Sequence, residues 1–168
     1  MNTKILLLSL CALFALNACE PSAKSDSRPA AIADIPEDAV DPLSHMSALE
    51  TGGHKGQIHF HDGSESQWFG SIANLIMYTR LPETANRPMT AYVSLSDNEG
   101  KALSPWQWTA LEEAWFVLLP PNPEDPFSLA TWTAYREQSN AETVVQNVPL
   151  SRLYRYHEIR DEDLLDCH

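Results

Sequence analysis

The chain has 168 residues, a formal net charge of −12 and three cysteines. One modest domain fits that length. Acidic residues outnumber basic ones 23 to 11, which excludes a phosphate-backbone binder and disfavours attraction to anionic lipid. Three cysteines exclude a disulfide scaffold, and 43 % hydrophobic residues exclude wholesale disorder.

Residues 1–18 read as a secretory leader. Lys4 supplies the positive start, residues 5–16 form an apolar run too short to span a bilayer comfortably, and Leu16-Asn17-Ala18-Cys19 closes it. That ending resembles a bacterial lipobox, in which the cysteine is acylated and becomes the mature N-terminus. Cys19 is therefore the expected lipid attachment point, and the expected location is the cell envelope, facing the periplasm, with inner or outer membrane open. Two or more acyl chains, at about 0.8 kcal/mol per buried methylene, anchor such a protein stably. Loss of Lys4 with the leader makes the mature chain one unit more negative. Residues 19–42 read as the acylated cysteine and a flexible tether, since Pro, Ala, Ser and Asp dominate without apolar periodicity. Asp34, Glu37, Asp38 and Asp41 read there as solvated charge.

The folded body is expected over residues 43–160. Residues 57–61 alternate as a half-buried strand with Ile58 and Phe60 inward, and Asp62-Gly63 signals a hairpin turn into a return strand at 66–69. Ser71 caps a helix running to about Arg80, and Pro82 stops it. Residues 90–95 form the next strand. An amphipathic helical segment is expected at 105–113 and a strand at 114–119. The prolines of 120–126 form a loop. Residues 128–138 show helical spacing of Leu129, Trp132 and Tyr135; Val144-Val145 and residues 153–157 read as closing strands. The runs starting at Phe69 and Phe127 resemble each other weakly, which suggests an α+β fold of duplicated ββαβ units. Residues 161–168 read as a frayed acidic tail. The five tryptophans read mainly as core.

At this point the chain resembles the NosL family, lipoproteins that accompany nitrous oxide reductase as copper chaperones. The resemblance rests on Gly56-Gln57-Ile58-His59-Phe60-His61-Asp62-Gly63, on Trp68-Phe69-Gly70-Ser71, on Tyr78 with Leu81-Pro82-Glu83, and on the stretch from Trp108 to Val117. It covers about residues 41–159 and implies the duplicated ββαβ fold. It also implies Cu(I) as cargo, a copper enzyme under assembly as partner, and no enzymatic step. Where the family usually carries Cys-Gly-Met, this chain has Ser44-His45-Met46, and no methionine stands in 120–126.

The remaining soft donors define the candidate site. His45 and Met46 offer an imidazole and a thioether, and His54 follows a Gly52-Gly53 hinge. His59 and His61, two apart on a strand, point to one face and form a second candidate pair. Cys167-His168 at the C-terminus is a further, distant option. Met77 reads as core packing and Met89 as the lead into a strand. No Gly-x-Ser-x-Gly elbow, nucleotide-binding loop or His-Glu-x-x-His helix is present. The competing expectation is a metal-free binding or scaffold lipoprotein of the same fold.

Overall fold

A computed structural model describes residues 28–165. The expected leader, Cys19 and the Cys167-His168 pair lie outside the described residues. The first half runs β1 (Gly56–Phe60), β2 (Gln67–Phe69), α1 (Ile72–Arg80) and β3 (Met89–Ser94), extended by β4 (Trp108–Ala110). The second runs β5 (Trp115–Leu119), β6 (Thr131–Tyr135), α2 (Gln138–Asn147) and β7 (Arg152–Arg155), then a 3₁₀ turn (Tyr156–Glu158) and α3 (Asp161–Leu165). Each half is thus ββαβ. The first builds a sheet ordered β2-β1-β3-β4, the second a sheet ordered β6-β5-β7. All pairings are antiparallel, and the first strand of each unit is central, flanked by the second and third.

Helix α1 forms where it was expected. The Ser71 hydroxyl accepts from Asn74 N–H at 3.1 Å, which satisfies one free amide of the first turn. Ile72, Leu75 and Ile76 are buried and join Ile58, Phe69 and Phe116 in the main core. The helix lies so close to β1 that a Cβ at Gly56 would meet Leu75 Cβ at 2.9 Å, so glycine is required there. The sheets are joined where Ser96 N–H donates to Ala134 O at 2.8 Å and Ala134 N–H donates to Ser96 Oγ at 3.1 Å.

Several expectations are corrected. Residues 128–138 are not a helix: Thr131-Trp132-Thr133-Ala134-Tyr135 forms β6, paired with β5 from Thr131↔Leu119 to Tyr135↔Trp115. Its β-branched and aromatic residues favour a strand, and over so short an apolar run the helical spacing was accidental. The helix of the second unit follows it, so Val144-Val145 lies in α2 and not in a strand. The duplication is real, but the sequence likeness between Phe69 and Phe127 sat in the wrong register. Residues 105–113 hold β4, not a helix. The turn at Asp62-Gly63 exists, with Gly63 at φ 81°, but the connection is longer than a tight hairpin, since Ile58 pairs with Gln67. Trp68 and Trp132 are core, while Trp106, Trp108 and Trp115 are half-buried.

Both ends of the body extend beyond their expected limits. The segment from residue 28 to 42, read as tether, straps across the first sheet. Gln57 clamps Ile32, accepting from its N–H at 2.8 Å and donating to its carbonyl at 3.0 Å. Tyr92 Oη donates to Pro29 O at 2.5 Å and Trp108 Nε1 to Ala33 O at 3.1 Å. Ile35 and Ala39 are buried beside Trp68. Each of these bonds contributes about 1 kcal/mol net, enough together to hold a segment with little apolar content. At the other end, residues 161–165 are not a frayed tail. Leu164 is buried in the core. The buried Asp163 carboxylate accepts from Tyr154 Oη at 3.0 Å and from Arg160 N–H at 3.0 Å.

Candidate functional site

The site begins with one buried carboxylate. Asp41, read as solvated charge, is fully buried. Its Oδ1 accepts from Leu43 N–H and Ser44 N–H at 2.9 and 3.2 Å. Its Oδ2 accepts from Gly70 N–H and from Asn74 Nδ2, both at 2.8 Å. Its backbone closes the same loop, accepting from His45 N–H at 2.8 Å and donating to Met46 O at 2.9 Å. Asp41 therefore shapes the loop carrying Ser44-His45-Met46 and fastens it to the start of α1. Across the Gly70 peptide stands Lys55, 2 % exposed. Its ammonium donates to Thr51 O, to Thr51 Oγ1 at 3.1 Å and to Gly70 O at 3.4 Å. Burial pushes the Lys55 ammonium below its usual range, and the Asp41 carboxylate opposes that shift.

Within the loop, His45 adopts φ 57°, in the left-handed region. This explains the glycine expected there from the family pattern, because a side chain in that conformation is strained by about 1–2 kcal/mol. His45→Gly is expected to raise stability by about 0.5–1 kcal/mol in chemical denaturation, the relieved strain exceeding the added freedom of the unfolded chain.

A cavity of about 660 Å³ opens between this loop, α1 and the strand entering the second sheet. Met46, Met77, His54 and Trp132 contribute to its lining. Met46 is about half exposed at the rim. His54 is only 3 % exposed, and its Nε2 lies 2.8 Å from Ser96 Oγ. Its Nδ1 is buried without a hydrogen-bond partner, as is Trp132 Nε1. Ser96 Oγ is able to accept the Nε2 proton, which leaves a lone pair on Nδ1, the tautomer a metal requires. Desolvation, reinforced by the Lys55 charge and opposed by Asp97, lowers the His54 pKa to about 4. The imidazole is thus neutral at neutral pH. A thioether and a neutral imidazole in one cavity suit a soft cation. Among the described residues no group of three or more His, Cys, Asp or Glu converges as a metal site.

Of the expected donors, the cavity brings together Met46 and His54. His45 is exposed and does not line it. His59 is buried beside Gln57 and Tyr92 with both nitrogens engaged. Its Nε2 donates to Gln57 Oε1 at 2.6 Å, and its Nδ1 accepts from Ser66 Oγ at 2.8 Å. No lone pair is left for a metal in that arrangement. His61 lies past the end of β1, exposed, with Nε2 at 2.9 Å from Thr90 Oγ1. The two do not act as a pair. Sequence reading missed Asp41 and Lys55. The one available signal for Asp41 was Asp before Pro42, a turn-forming pair whose carboxylate reaches amides two and three residues on.

The architecture defines a class: a duplicated ββαβ protein with a thioether- and imidazole-lined cavity between its halves. The NosL family model matches residues 32–164. The chain belongs to the NosL family. Among solved structures, the fold is similar to a crystal structure of the copper chaperone NosL from Shewanella denitrificans. The TM-score is 0.62 at 22 % identity, over 80 % of this chain and 98 % of that one. A solution structure of apo-NosL from Achromobacter cycloclastes also matches, with TM-score 0.44 and 17 % identity over 65 % of this chain and 87 % of that one. No curated protein sequence gives a significant match.

Proposed function

We propose that this protein is a lipid-anchored, periplasm-facing carrier of Cu(I), tethered through Cys19, which hands the ion to a copper enzyme under assembly such as nitrous oxide reductase. The observation that carries this reading is the partnerless, buried Nδ1 of His54, a residue of the cavity that Met46 also lines. Family membership and a neighbour described as a copper chaperone support it. No bond of a substrate is made or broken. The ion leaves by ligand exchange, and the half-exposed Met46 at the rim is the donor an incoming ligand reaches first. Weak thioether donors suit a site that must release its metal. The acidic surface favours approach to a basic partner.

A second reading is a metal-free scaffold lipoprotein of the same fold. Ser44, in the place of the expected cysteine, is the observation that favours it.

Anaerobic titration of the detergent-solubilised full chain with Cu(I), against a chromophoric chelator, separates the two. The expected result is competition for one equivalent of Cu(I). Met46→Leu and His54→Gln should each weaken binding at least about tenfold, about 1.4 kcal/mol. His45→Ala should leave it unchanged. No competition at micromolar chelator-bound copper would establish the scaffold instead.

A further inference from the structure

Two donors leave a Cu(I) ion open to solvent, and the cavity holds one more soft atom. Resting on the reading of this cavity as a Cu(I) site, we propose that Met77 is a third donor, which makes the site a neutral bis-thioether and imidazole centre selective for soft monovalent cations.

The placement follows from α1. Ile72, Leu75 and Ile76 are buried in the core. Ala73 and Met77 are one helical turn apart, share a face, and both line the cavity. Met77 packs on the edge of the core but, unlike Leu75 and Ile76, is only half-buried. Met77 therefore belongs both to the core edge and to the lining of the cavity that His54 and Met46 share. A position needed only for packing would take leucine equally well.

Charge fixes the class of ion. The three donors are neutral, so a bound monovalent ion carries a single charge into the cavity. A divalent ion needs anionic or oxygen donors. The carboxylate fastening this loop, Asp41, is already committed to four N–H groups. No carboxylate lines the cavity, so Zn(II) finds no anionic ligand here, whereas Cu(I) and its redox-silent analogue Ag(I) need none.

The four methionines, Met1, Met46, Met77 and Met89, make the test direct. Met89 lines a different cavity and serves as an internal control. The detergent-solubilised full chain is labelled with ¹³C at methionine methyls and ¹⁵N at histidine, then titrated with one equivalent of Ag(I). The expected result is that the Met46 and Met77 methyls move together with the His54 nitrogens, while Met89 stays. Zn(II) should move none of them. In parallel, Met77→Leu should weaken Cu(I) binding at least tenfold and Met89→Leu by less than twofold. If Met46 and His54 respond and Met77 does not, the third donor is refuted and the simpler site stands. If none of the three responds, the copper reading fails with it. Equal responses to Zn(II), or unchanged affinity in folded Met77→Leu, also overturn the proposal. The labelled native chain decides the matter even if that variant does not fold.

Discussion

Asp41→Ala is expected to destabilise the domain by about 3–5 kcal/mol in urea denaturation, among the largest single losses in this fold. The carboxylate is fully buried and receives two loop amides, the Gly70 amide and the Asn74 side chain. Removing it strands those N–H groups, at about 1–3 kcal/mol for each one that water cannot reach. It also leaves the Lys55 ammonium buried without its countercharge. Asp41→Asn keeps the shape but loses the charge, and one of its two acceptors becomes an NH₂ facing donors. A comparable loss is expected from it, and a loss below about 1 kcal/mol in either variant contradicts the role assigned here. The double variant Asp41→Asn/Lys55→Met should recover part of the deficit, because an uncompensated charge is worse than none.

Acid sensitivity of the metal-free protein is the second large effect. The His54 pKa is near 4 in the fold, against an ordinary value of 6.5. Between those values the unfolded chain binds the extra proton and the folded chain does not, so stability rises with pH. The contribution is complete above about pH 6.5 and is lost as pH falls towards about 4. At about 1.4 kcal/mol per unit, the total is about 3 kcal/mol. His59, lowered by burial, acts in the same direction. Asp163 and Asp62, both held below the ordinary carboxylate range, lose their contributions only in more acidic solution. Urea denaturation at pH 7.5 and pH 4.5 measures the effect. His54→Gln should flatten most of the slope, and an unchanged slope in that variant would place the titration elsewhere.

The first ββαβ unit was largely legible because each element carries its own punctuation. The alternation around Ile58 and Phe60, the Ser71 cap and the Pro82 stop act locally. The second unit is marked less fully. Helix α2 follows Glu137 without a side-chain cap bond, and although Pro149 stands two residues past its end as Pro82 does past α1, β6 carries aromatic residues at an accidental helical spacing. The duplication itself could be inferred, but not its register. For the site, donor type was readable and convergence was not. Met46 reaches the cavity that His54 lines from a loop that Asp41 folds and fastens to α1, and Met77 arrives from a helix whose sequence looks like plain core. His59 read as a donor, whereas it is buried and bonded to Gln57, the residue that also holds a segment without a hydrophobic pattern. That segment is held mainly by backbone hydrogen bonds to Gln57, Tyr92 and Trp108, which leave no periodic trace in sequence.

That strap also sets a leash length. Had the chain been free to Pro42, the body would range several tens of ångströms from its anchor. With residues 28–42 laid against the sheet, the contour from Cys19 to Arg28 amounts to at most about 30 Å. On the proposed acylation at Cys19, that contour bounds the distance of the body from the bilayer to a thin shell. Confinement of that kind raises the effective concentration toward any acceptor held at the same membrane. On that proposal, the bonds between Gln57 and Ile32 set how far the body reaches from the membrane.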